Sequence, residues 1–356
     1  MASCGDKNSV LSDEEYLKIG DKIQRAVYQG NSNYLKELIH QNTVEANSFA
    51  NLNLRKARER RYREEIKKRF ASMMSSLVET VQYGGVFELV SLSSHPNPRL
   101  LFAHYNDHLN FIEFELKTIG KKTYIIDFYS FYSGEYFSNS LKQHILNEIE
   151  YGNLGGLYAN ALEELYNVQG FVKRGNYERA WRAYGRIPFE FQQQKTFGRV
   201  RVDLSKNISP EAYISSLEDF IDLNNEDKRF TALQNLNLLI AKKEPEKALQ
   251  SLKRLEEYVG RSQLLQFIEA QLLHETGNSD DAMDRINSFI KSVDYFFPAY
   301  IKKLEILLTN TDYKGATELM ALVEAKFTVA REEWEVFLEN YPNFIDSKAY
   351  KSWVGS

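Results

Sequence analysis

The chain has 356 residues, too many for one ordinary core and about right for two domains at roughly 100–200 residues each. A composition of 43% hydrophobic and 26% charged residues excludes disordered and fibrous chains, and a net charge of −4 argues against a dedicated nucleic-acid coat. One cysteine, Cys4, excludes an internal disulfide and most zinc sites built on thiolates.

The chain as given has no apolar core of a signal peptide. Its head reads Met1-Ala2-Ser3-Cys4-Gly5-Asp6-Lys7. Small residues before a cysteine and a polar tether after it resemble the end of a bacterial lipoprotein signal. If such a signal had been removed upstream, Cys4 would be the acylated anchor and the protein would sit at the cell envelope. Otherwise Cys4 is an exposed thiol, and the expectation is a cytoplasmic protein.

Residues 1–11 read as a flexible head. Ser12-Asp13-Glu14-Glu15 is a capping box that opens a helix ending near Gly30. A short helix fits Asn33 to His40, and a long polar helix is predicted from about Val44 to Val81. After Gly84-Gly85 the hydrophobic period changes. Val86–Ser93, Arg99–Tyr105, Leu109–Ile119 and Thr123–Tyr132 are β-rich runs separated by turn signals at His95-Pro96-Asn97-Pro98, Asn106-Asp107 and Gly120-Lys121. Connections this short demand antiparallel hairpins. Ser133-Gly134-Glu135 is read as opening another helix, to about Ile149. The prediction for 12–152 is an α+β domain with helices on a curved antiparallel four-stranded sheet. The long helix followed by Leu109–Leu116 and Tyr124–Tyr129 resembles, in order of elements, the nuclear transport factor 2-like (cystatin-like) superfold. That resemblance implies a conical pocket between sheet and helices, and makes the domain a candidate homodimerisation module.

The second half is periodic. Ala180, Ala248, Ala282 and Ala316 stand at separations of 68, 34 and 34 residues. Nine residues before them stand Phe171, Leu239, Leu273 and Leu307, and four after stand Tyr184, Leu252, Ile286 and Met320. The period and the small residue resemble the tetratricopeptide repeat over about 158–325. Gly175 and Gly277 can end first helices in left-handed geometry. Lys243 and Thr311 stand where that Gly would be, so those two turns are expected to be less sharply stopped. Between the first two anchors a degenerate repeat fits, with Tyr213 in place of the small residue and a first helix near Phe197 to Lys206 that is poor in apolar residues. Glu332–Glu339 and Ser347–Trp353 read as closing helices. The second domain, 156–356, is predicted to be an all-α repeat array, joined at Tyr151-Gly152-Asn153-Leu154-Gly155-Gly156.

Repeats of this kind imply a protein or peptide partner held in the concave groove. Eleven residues before the anchors stand Gln169, Asn237, Gln271 and Glu305, and His274 stands eight before Ala282. These polar groups form a candidate ladder for a peptide backbone. In the N-terminal domain, Asp127, Tyr129 and His104 are the candidate pocket residues for the alternative, a small-ligand site or enzyme. Strand alternation would put Asp127 on one face with Ile125 and Tyr129. His104 and His108 flank a hairpin turn, where the rings need not converge on a metal. Arg55–Arg69 carries nine basic and three acidic residues, spaced for pairing along a solvated helix. No phosphate-binding Gly loop, nucleophile elbow or HExxH helix occurs. The sequence therefore points to a non-enzymatic interaction protein, with no cofactor, metal or nucleic-acid partner expected, and a membrane contact only through a lipidated Cys4.

Overall fold

The computed structural model describes residues 11–94, 97–106, 108–151 and 156–355. Cys4, Asp107, half of the 95–98 turn and the 152–155 join lie outside them. The chain divides into two compact units, one of Met1–Glu244 with Ser251–Gly260 and one of Pro245–Gln250 with Arg261–Ser356.

The first unit opens with α1 (Asp13–Tyr28), α2 (Ser32–Glu37), α3 (Gln41–Phe49) and α4 (Lys56–Gln82). Ser12 and Glu15 form the capping box of α1 in both directions. The single long helix expected from Val44 is divided. Asn51 takes a left-handed φ of 64°, and the Asn-rich stretch around it competes poorly for helix.

Five strands follow: β1 (Val86–Ser93), β2 (Arg99–Tyr105), β3 (Leu109–Ile119), β4 (Lys122–Ser130) and β5 (Glu135–Tyr136). They form an antiparallel meander in sequence order. The sheet thus has five strands where the sequence reading has four. Gly134, at a φ of +68°, reverses the chain so that Glu135 and Tyr136 pair back onto Ser130 and Tyr129 before a helix can begin. That helix is α5 (Phe137–Tyr151). One sheet face packs on α1 and α4 through Phe87, Phe102, Phe114 and Phe128 against Ile66, Phe70, Met74 and Leu77.

The rest of the unit is helical: α6 (Leu157–Val172), α7 (Tyr177–Tyr184), α8 (Phe189–Gln192), α9 (Lys195–Ser205), α10 (Pro210–Asp222) and α11 (Lys228–Ala241). Helix α12 (Pro245–Val259) contributes residues to both units. The second unit continues with α13 (Gln263–Glu275), α14 (Ser279–Ser292), α15 (Phe297–Thr309) and α16 (Tyr313–Phe327), each packed on the next. Three short helices follow, α17 (Glu333–Leu338), α18 (Pro342–Ile345) and α19 (Lys348–Val354), which bring Trp334, Phe344 and Trp353 onto the apolar side of α15 and α16. The architecture is α+β followed by all-α.

Ala180, Ala248, Ala282 and Ala316 are each fully buried, as close helix approach at a small residue requires. The turns before them share one closure. Asn176, Glu244, Asn278 and Asp312 donate their amides to the carbonyls of Phe171, Leu239, Leu273 and Leu307, at 2.9–3.0 Å. This is the six-to-one bond of a Schellman stop, and it needs a left-handed residue just before the donor. Gly175 and Gly277 supply that conformation without strain, whereas Lys243 and Thr311 adopt it at φ 56° and 58°. The two turns without Gly are therefore stopped as sharply as the others, and the cost is backbone strain. Lys243→Gly should raise stability by about 1 kcal/mol, and Gly277→Ala, which meets no neighbour within 4 Å, should lower it by about as much. Urea unfolding of the two variants checks both signs.

Candidate functional site

Antiparallel register builds a graded surface on the α4-facing side of the sheet. Phe114 lies opposite Phe128, Ile112 opposite Ser130, and His104 opposite Asn110. Passing along the strands, the side chains change from aromatic to polar within three rungs. Helix α4 crosses above them with Met73 and Leu77, and α5 adds Phe137 and Ser140. Between these walls lies a cavity of about 460 Å³. That volume is within the range of small-molecule sites. Its last wall comes from α9, through Thr196, Arg199 and Asp203.

The polar end is organised around Tyr132. Its amide donates to Asn110 Oδ1 at 2.9 Å, its hydroxyl donates to Asp203, and its ring lies 4.1 Å from that of His108. Burial, and then the Asp203 carboxylate, push the Tyr132 hydroxyl well above its ordinary pKa, so it stays a donor. His104 reaches into the cavity from β2. Its Nε2 is buried without a hydrogen-bond partner among the described residues. Desolvation, with a smaller contribution from His108, lowers its pKa to about 4, so the ring is neutral near pH 7.

Of the three pocket residues marked in the sequence, the structure places only His104 in this cavity. Asp127 and Tyr129 lie on the other face of β4, because Phe128 and Ser130 are the residues that line the cavity. Asp127 and Ile125 do not share a face. The register shifts between Glu115 and Leu116, opposite Asp127 and Ile125, and that bulge turns Ile125 into the α4-side core. Asp127 instead accepts from the Phe128 and Ser138 amides, at 2.9 and 3.2 Å, and from the Ser138 hydroxyl. Desolvation raises its pKa while those donors oppose the rise. It anchors the first turn of α5. Tyr129 donates to Asp227 Oδ2 at 2.5 Å, and the Arg229 guanidinium sits 3.7 Å above its ring. Arg229 also pairs with Glu113 at 3.1 Å. Tyr129 is thereby the seat of the α11 N-terminus on the sheet.

The ladder residues fall in both units. Gln169 on α6 is exposed, and Asn237 on α11 is half-buried with its amide donating to Gln234 Oε1 at 3.1 Å. In the second unit Gln271, His274 and Glu305 are half-exposed on α13 and α15. His274 Nε2 lies 3.2 Å from Thr309 Oγ1, and Glu305 is paired with Lys302. Of the basic run, Arg61 pairs with Glu148, Arg63 with Glu45 and Glu59, and Arg69 with Glu65. No group of three or more His, Cys, Asp or Glu suited to a metal occurs among the described residues, and none of their helices is long and apolar enough to cross a membrane. The α9 residues Arg199 and Asp203 escaped the sequence reading. Their one signal was the poverty of that helix in apolar residues.

The neutral His104 makes a specific prediction. A base whose folded pKa lies below its unfolded value of 6.5 leaves the unfolded state binding more protons between the two. Stability should be fully present above about pH 6.5 and fall as pH drops to about 4, by roughly 3 kcal/mol. In His104→Gln this slope should be absent from denaturation curves taken across the same pH interval. Comparison with known proteins returns no matching family model and no matching curated protein.

Proposed function

We propose that the first unit is a small-molecule binding module, and that its cavity holds an amphipathic ligand without transforming it. The observation that carries this reading is the cavity's graded lining. Met73, Leu77, Ile112, Phe114, Phe128 and Phe137 offer an apolar bed, and Asn110, Ser130, Tyr132 and Asp203 stand at the polar end. A mostly apolar lining with a few convergent polar groups is the common pattern of small-molecule sites. The order of elements supports membership in the nuclear transport factor 2-like superfold, and the period of 34 supports a tetratricopeptide-like array; both family assignments are part of this proposal.

Naphthalene is a suitable first probe, being uncharged, fluorescent and small enough for the cavity. The wild-type protein should bind it at one site, and Ile112→Trp, which drives a ring into the same space, should weaken binding at least about tenfold without lowering the melting temperature. Equal binding by the two proteins, or none by either, would overturn the reading.

A second reading concerns the helical repeats, which we propose to hold a protein or peptide partner. It is supported by the half-exposed polar groups Gln271, His274 and Glu305 on successive first helices of the second unit. Alanine at Gln271 together with Glu305 should abolish partner capture from native extract while the melting temperature stays near wild type. Undiminished capture removes these residues from the argument. The two readings are compatible, since naphthalene binding should be unaffected by the second pair of substitutions.

A further inference from the structure

The ionic groups around the cavity are not equivalent. Two arginines line it. Arg69 is held by Glu65 at 2.6 Å and lies 3.2 Å from His144. Arg199, exposed on α9, makes neither an ion pair nor a hydrogen bond among the described residues. Two carboxylates also line the cavity, Glu135 and Asp203. Asp203 accepts the Tyr132 hydroxyl and lies 3.8 Å from Lys206. Burial disfavours ionisation of Glu135, against the opposing pull of Arg199 and Lys195. Even with both carboxylates ionised, Lys195, Arg199 and Lys206 outnumber them along α9, so the charge at that wall is positive.

Helical spacing sets where that charge is available. Thr196, Arg199 and Asp203 stand at i, i+3 and i+7, on one stripe of α9. Asp203 is therefore one turn, about 6 Å, beyond Arg199, and Thr196 is about 4.5 Å before it. Thr196 Oγ1 lies 3.4 Å from Ser140 Oγ of α5, and both residues line the cavity. A guanidinium with two hydroxyls beside it offers several donors to one carboxylate-sized anion. On α5, Phe137 stands three residues before Ser140 and shares its face, which joins this polar seat to the aromatic bed. A cation placed at the seat would meet Arg199 without an intervening counter-charge.

Resting on the binding reading above, we infer that the ligand is an amphipathic anion whose carboxylate-class head pairs with Arg199 at the solvent side of the cavity. Its apolar body lies against Phe137, Phe128 and Phe114. Arg199 is then the residue that selects the sign of the head, while the aromatic bed sets affinity for the body. Because Arg199 is exposed, the ion pair contributes a modest factor and weakens as salt rises.

Three probes that share one body separate these contributions: naphthalene, naphthoate and naphthylmethylammonium, titrated near neutral pH against the full chain. Naphthoate should bind at least about fivefold more tightly than naphthylmethylammonium at low salt, through attraction of one ion and repulsion of the other. Added salt should narrow that gap. In Arg199→Gln most of the gap should close, and in Arg199→Glu it should invert. Arg201→Gln removes the same charge from the same helix, but at a side chain held by Asp219, and should leave the gap unchanged. All three variants should bind naphthalene as the wild type does, and circular dichroism confirms that each is folded. Where naphthalene binds, failure of naphthoate to outbind the ammonium, or a naphthoate preference that survives in Arg199→Gln, would refute the anionic head and leave the cavity reading standing. Failure of naphthalene itself to bind the wild type would sink both.

Discussion

Where β4 leaves the sheet, Tyr132 satisfies every one of its polar groups on a different element. Its amide is held by Asn110 of β3, its hydroxyl by Asp203 of α9, and its carbonyl accepts from Gln234 Nε2 of α11 at 2.9 Å. Buried polar groups of this kind stabilise only when all are met, because an orphan costs more than a bond returns. The geometry of the first unit depends on this node. It fixes the end of the sheet, sets α9 as the last cavity wall, and brings α11 to the opposite face, where Tyr129, Asp227 and Arg229 complete the attachment. The Gly134 turn two residues on is equally constrained, since a Cβ there would meet the Phe230 ring at 2.8 Å.

This attachment gives the unusual composition of α9 a physical explanation. Helix α9 cannot keep a repeat-like apolar composition, because one side of it, Thr196, Arg199 and Asp203, faces a cavity instead of another helix. Its other side still buries Phe197, Val202 and Leu204. Gly198 has the same origin, for a Cβ there would lie 2.9 Å from the Phe220 ring of α10.

Much of the fold was legible along the chain. Strand bounds follow from hydrophobic alternation broken by Gly, Pro and Asn, and β1, β2 and β3 end where those residues predict. The buried alanines follow from the period of 34. Besides the break at Asn51 and the sharp stops at Lys243 and Thr311, two features of the sheet were not legible. The fifth strand is only two residues long and exists because Gly134 turns it onto β4. The bulge opposite Glu115 inserts one residue, and a single insertion reverses which side chains face the cavity. That one step separates His104 from Asp127 and Tyr129, which the sequence alone could only group together as polar residues on aromatic strands.

By itself, the sequence determined what local forces determine: helix and strand identity, the capping box at Ser12, the antiparallel meander demanded by short turns, and the small residues at which paired helices meet. These depend on spacings of a few residues, where backbone sterics and periodic burial act. The tertiary structure alone decided that Asp127 and Tyr129 are anchors for α5 and α11, and that His104 lines the cavity while they do not. Asp227 stands 98 residues from Tyr129, and Asp203 stands 71 from Tyr132. Pairings at such separations are chosen by the packing of whole elements, which no local pattern of residues encodes.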